Sequence, residues 1–135
     1  MKILRQECCW LVSVALSVGA FAGFAAAGPG EDSAQAVSLG AETASGRHLT
    51  LTFAGDAVTR ASNAATLCGS SGAPVQEARL WMPDMGHGSA PTRLEAMSPD
   101  CTRVTNIRFI MGGSWEIQVL LSDGDRGAFV VNIPD

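Results

Sequence analysis

The chain has 135 residues, of which 16% are charged, and a formal net charge of −4. That length accommodates one ordinary domain beside a short leader. An acidic chain without a cluster of basic side chains has little to hold a phosphate backbone, so neither nucleic acid nor an anionic membrane surface is expected as a partner.

Lys2 and Arg5 precede an apolar run from Trp10 to Phe24, which Ala25-Ala26-Ala27 closes. A charged head, an apolar middle and a small-residue cleavage site are the order of a secretory signal peptide. Residues 1–27 are therefore read as a signal, with an uncleaved anchor as the alternative. The run is too short and too rich in Ala, Gly and Ser to predict a stable membrane span. Cys8 and Cys9 precede it and would leave with the signal. Export places the remainder in the periplasm or outside the cell, where a monomer is expected.

Residues 28–135 carry seven basic side chains, all arginine, against twelve acids. Two cysteines remain, Cys68 and Cys101. In an oxidising compartment such a pair reads first as a disulfide. The rival reading, a pair of soft thiolate ligands for copper or zinc, lacks the support of a C-x-x-C spacing.

Residues 28–46, rich in Gly, Ala, Ser and acids, read as a flexible leader or a weak first strand. The domain proper is expected over 47–135. Leu49, Leu51 and Phe53 alternate with His48, Thr50 and Thr52, which predicts a strand with His48 facing solvent. The Ala-, Ser- and Thr-rich segment 57–71 admits either a short helix or an irregular crossover. Val75 to Met82 predicts a strand with Ala78, Leu80 and Met82 in one phase, stopped by Pro83, which has no N–H to donate. Arg93 to Met97 predicts a short strand, with a Ser98-Pro99-Asp100 turn leading into Cys101.

Ile107, Phe109 and Met111 share a phase, and Gly112-Gly113-Ser114 follows them as a turn. Trp115, Ile117, Val119 and Leu121 then alternate with polar residues. After the turn at 123–127, Phe129, Val131 and Ile133 line the inward face of a last strand. Two consecutive hairpins after several short strands, without an amphipathic helix, predict an all-β, immunoglobulin-like antiparallel sandwich of about seven strands.

No G-x-S-x-G, H-E-x-x-H, phosphate loop or dinucleotide fingerprint occurs. His87 and Ser89 lie two residues apart on one loop, a poor arrangement for a base and its nucleophile, so no enzymatic activity is expected. The chemistry concentrates in Trp81-Met82-Pro83-Asp84-Met85-Gly86-His87-Gly88. Thioethers are soft neutral ligands and imidazole is borderline, so Met82, Met85 and His87 together suit Cu(I). Met111 or Met97 is the candidate fourth donor. Asp84 could fix the imidazole tautomer from behind. The plainer alternative makes Met82 and Met111 core residues that fill irregular space and Trp81 and Trp115 packing residues.

The loop Met82-Pro83-Asp84-Met85-Gly86-His87-Gly88, followed by Ile107-x-Phe109-x-Met111-x-Gly113-x-Trp115-Glu116-Ile117, resembles the FixH/YtkA-like family of small exported or membrane-anchored β-sandwich domains. The likeness runs from about Val75 to Ile133. It implies an immunoglobulin-like sandwich, an envelope location and copper handling. By position it carries Met82, Met85 and His87 onto the loop, and Met111 with Trp115 onto the later segment. The chain departs from the family in its cleavable signal, its cysteine pair and the Val104-Thr105 stretch, where an aromatic is typical. The function expected is that of a copper carrier or chaperone that exchanges metal with another envelope protein. The alternative is a structural or interaction module without metal.

Overall fold

A computed structural model of the chain describes residues 36–55, 58 and 60–135. The predicted signal peptide and most of the predicted leader lie outside them. Nine strands run through the described residues: β1 (Ser38–Glu42), β2 (His48–Phe53), β3 (Asn63–Cys68), β4 (Val75–Met82), β5 (His87–Gly88), β6 (Arg93–Ala96), β7 (Cys101–Ile107), β8 (Gly113–Leu121) and β9 (Arg126–Ile133). They form two antiparallel sheets, a five-stranded one in the order β1-β2-β3-β7-β6 and a four-stranded one in the order β5-β4-β8-β9. The protein is an all-β sandwich. Among the described residues no helix is long and apolar enough to cross a membrane.

The predicted alternations define the interior. Leu49, Leu51 and Phe53 on β2, Ala78, Leu80 and Met82 on β4, Trp115 to Leu121 on β8 and Phe129 to Ile133 on β9 all bury their in-phase members. Period-two patterning puts every second side chain on one face, and that face packs against the facing sheet. Leu67 and Val104 from the central strands β3 and β7 complete the core at 0% exposure.

Nine strands replace the seven expected because two escaped the pattern. β3 is built mostly from Ala, Thr and Asn, whose weak apolar contrast hid a strand bearing only Ala65 and Leu67 on its inner face. β5 is two residues long and exists only as the return of a tight turn from β4. Within the predicted leader, Ser38–Glu42 forms β1, paired along its full length with β2, so the sandwich begins before residue 47.

The expected hairpin centred on Gly112-Gly113 is absent. β7 runs from Cys101 and ends at Ile107, and residues 108–112 carry the chain from the five-stranded sheet to the four-stranded one. The alternation of Ile107 and Phe109 persists because Phe109, 1% exposed, turns into the end of the core after the ladder stops. Met111 breaks the phase and stands 36% exposed.

The Cys68–Cys101 disulfide is formed between residues directly opposite each other on β3 and β7. At the same end of the sandwich the β1–β2 turn is tied to the β8–β9 turn. Arg47 donates from Nη2 to Asp123 at 2.5 Å, and the Ser45 amide donates to Asp125 at 3.2 Å. The Ser45 hydroxyl also donates to Asp125.

Candidate functional site

The opposite end of the sandwich holds the Met/His turn. β4 reaches Met82, the chain reverses, and β5 returns with His87 directly across from Met82. The amides of Met85 and Gly86 both donate to the Met82 carbonyl, at 3.3 and 2.9 Å. Gly86 closes this turn at φ +65°, a left-handed conformation that a glycine adopts without a Cβ clash. Residues opposite one another in an antiparallel pair project from the same face, with Cβ atoms about 5 Å apart. The turn therefore places the Met82 and His87 side chains side by side, facing the interior.

Their environments differ. Met82 is 3% exposed, and its methyl carbon lies 2.9 Å from the position that a Cβ on Gly113 would take. His87 is half-buried, and its ring meets the edge of Trp115 with centroids 5.9 Å apart. Trp115 is wholly buried, is flanked by Phe109 at 5.7 Å, and donates from Nε1 to the Met111 carbonyl at 3.1 Å. One indole thus contacts the histidine and fixes the backbone of Met111. Met85, at the turn, is 60% exposed.

The ring of His87 has one backbone neighbour within hydrogen-bond distance. Its Nδ1 lies 3.2 Å from the carbonyl oxygen of Gly88. A carbonyl only accepts, so the contact suits a hydrogen on Nδ1; in the neutral ring with that tautomer the Nε2 lone pair is the one available to a ligand. The sequence expectation gave that orienting role to Asp84, an exposed residue of the turn. A backbone carbonyl beside the ring provides the same control of tautomer.

Of the sequence candidates, the fold gathers Met82, His87, Trp115 and the Met111 backbone at one end, with Met85 on the turn. Met97 is at the other end. Its amide donates to the Cys101 carbonyl at 3.0 Å and its sulfur lies 4.0 Å from the Thr66 hydroxyl, beside the disulfide. The seven residues of β7 separate it from the 108–112 crossing, a span of roughly 20 Å at about 3.3 Å per residue. Met97 is therefore too remote to complete a set with Met82 and His87. Among the described residues, no three histidine, cysteine or carboxylate side chains gather into a group able to hold a metal. The donors at the Met/His end are sulfur and a single imidazole, a soft set that fits Cu(I) by its chemistry.

Sequence reading treated Asp123-Gly124-Asp125 as a turn alone and missed its part in a polar cluster. Hydrogen bonds from the Ser45 and Thr43 side chains hold the Asp125 carboxyl down to about 2. The Arg47 guanidinium likewise lowers Asp123 and is itself raised by it. No local signal joins positions separated by 76 and 80 residues.

With the architecture established as a two-sheet antiparallel sandwich, comparison with known proteins adds no relative. The chain matches no family model, no curated protein and no solved structure.

Proposed function

We propose that this protein is an exported, FixH/YtkA-like β-sandwich that binds Cu(I) through Met82, Met85 and His87 and carries it to or from another envelope protein. The observation that carries this reading is the β4–β5 turn, which sets a thioether and an imidazole on facing positions, with the Gly88 carbonyl within hydrogen-bond distance of the ring's Nδ1. Nε2 of His87 and the sulfurs of Met82 and Met85 would hold the metal, with Met111 beside them. Bound Cu(I) would supply no catalysis here, since a carrier needs only reversible ligation. Exposed Met85 and half-buried His87 leave such a site open to an exchange partner, while the Trp115 ring packs edge-on beside the histidine. Export is supported by the disulfide, which persists in oxidising compartments.

One observation favours a second reading, a structural or interaction module without metal. Met82 is almost wholly buried beside Gly113, as a core residue would be, and methionine readily fills irregular core ends. Cu(I) titration against a competing chromophoric chelator separates the two. The His87→Ala, Met85→Ala double variant is expected to lose affinity by at least about tenfold, equivalent to about 1.4 kcal/mol. Equal affinity in the wild type and the variant refutes the site and leaves the second reading.

A further inference from the structure

The outer face of the four-stranded sheet carries a pocket that the Met/His turn does not use. Outward side chains of β4, β8 and β9 fall there into two rows, Glu77–Leu120–Arg126 and Arg79–Gln118–Ala128. Ala78 and Val119, between the rows in sequence, are buried, so both rows point away from the core and from inward-facing Met82. With Glu42 of β1 they line an open pocket of about 680 Å³, within the roughly 300–1,000 Å³ of small-molecule sites. Half-buried Leu120 and the short side chain of Ala128 give it an apolar floor.

Four charged side chains line this pocket, Glu42, Glu77, Arg79 and Arg126, and none pairs with another. Among the described residues the only ion pairs are those of Arg47 with Asp123 and Asp125. Arg79 is held apart by its neighbours. Its Nε donates to Gln118 Oε1 at 2.9 Å, and its Cζ lies 5.8 Å from the centre of the Trp81 ring. Gln118 is fixed in turn, donating from Nε2 to Glu116 at 2.8 Å. Trp81 lies two residues beyond Arg79 and Glu77 two residues before it, so the guanidinium leans away from the carboxylate beside it. Its two terminal nitrogens have no hydrogen-bond partner among the described residues. The Arg126 guanidinium has none either, although Glu77 stands in the same row, two strand spacings or about 10 Å away at the Cα atoms.

We propose that this pocket binds a short peptide with free ends, whose carboxylate pairs with Arg79 and whose ammonium pairs with Glu42 and Glu77. A guanidinium offers a carboxylate two parallel hydrogen bonds from its terminal nitrogens, and an arginine already clamped loses less freedom on binding. The lining charges decide the ligand class. A simple anion meets two carboxylates and a simple cation meets two guanidiniums, whereas a ligand bearing both charges satisfies both sets. The walls on β4 and β9 stand about 10 Å apart at their Cα atoms, wider than one amino acid and close to the reach of two or three residues at about 3.5 Å each. Leu120 and Ala128 receive an apolar side chain between the ends. The pocket opens on the outer face of the sheet, so the proposal holds whether or not copper binds at the Met/His turn.

Alanyl-leucine is the probe, added to the purified protein with a metal chelator present and followed by NMR. It should bind saturably with Kd of about 1 mM or tighter, with shifts centred on Arg79, Trp81 and Gln118. The N-acetylated and the C-amidated dipeptides should each bind at least about tenfold more weakly, which tests both charges on the unaltered chain. Arg79→Gln should weaken alanyl-leucine at least about tenfold and leave the acid and its amide alike. The Glu42→Gln, Glu77→Gln double variant should leave the free and acetylated amines alike. All three side chains are exposed, so both variants should melt within a few degrees of the wild type. No saturation by about 10 mM, shifts centred elsewhere, a blocked dipeptide that binds as tightly as the free one, or a folded Arg79→Gln protein with wild-type affinity each overturns the proposal.

Discussion

Replacing Met82 by leucine separates packing from ligation at the one residue where the two readings of the site conflict. Met82 is 3% exposed and its methyl carbon fills the space over Gly113. Leucine has nearly the same volume, and such exchanges in cores cost less than about 1.5 kcal/mol. For a domain of this size that is a fall in Tm below roughly 10 °C, taking about 4–8 °C for each kcal/mol. Alanine at the same position would leave a cavity and cost about 2–5 kcal/mol. Leucine removes the sulfur without removing the packing, so Cu(I) affinity should fall by at least about tenfold, or about 1.4 kcal/mol, while the fold survives. Thermal unfolding followed by near-ultraviolet circular dichroism reports on buried Trp115, and competition titration reports on copper. An unchanged affinity in a stable Met82→Leu protein would show that the residue is core alone. A loss of stability as large as that of the alanine variant would refute the packing argument instead.

Other outcomes follow from the same structure. Gly113→Ala forces a side chain into φ +121° and against the Met82 methyl; even if the methyl shifts aside, the backbone strain should lower stability by about 1–3 kcal/mol, measurable by urea unfolding. Breaking the Cys68–Cys101 bond, by reduction or by a Cys68→Ser, Cys101→Ser double exchange, opens a loop with a sequence separation of 33 and should cost about 3–4 kcal/mol in the same assay. Asp125, held at about 2 by hydrogen bonds from Ser45 and Thr43, and Asp123, lowered by Arg47, stabilise the fold at pH above their unfolded values near 4. That stabilisation is lost as pH falls through about 2 for Asp125. Asp125→Asn should flatten this part of the acid-unfolding profile, and an unchanged slope would refute the coupling between the two turns.

The all-β class was legible because strict alternation at Leu49 to Phe53, Trp115 to Leu121 and Phe129 to Ile133 leaves one apolar face per strand, which only a second apolar layer can bury. The disulfide was expected from an even pair of cysteines behind a segment that reads as an export signal, and the structure forms it. That Met82, Met85 and His87 carry thioether and imidazole atoms was equally plain, since such chemistry belongs to the residue itself. Local sequence could not reveal β3, where Ala and Thr give too little contrast, or that 108–112 crosses between sheets instead of turning a hairpin. Both depend on which partners the rest of the chain supplies.

Tertiary structure alone decided the rest. It set His87 opposite Met82 and beside Trp115, and gave its Nδ1 a carbonyl partner where sequence reasoning had placed Asp84. It also sent Met97 to the far end of the sandwich and joined Arg47 to Asp123 across 76 residues. Patterning along a strand fixes which face is buried, because that depends on neighbours two residues away. Which strands become edges, and which side chains from distant segments meet, depends on how the sheets are assembled from the whole chain.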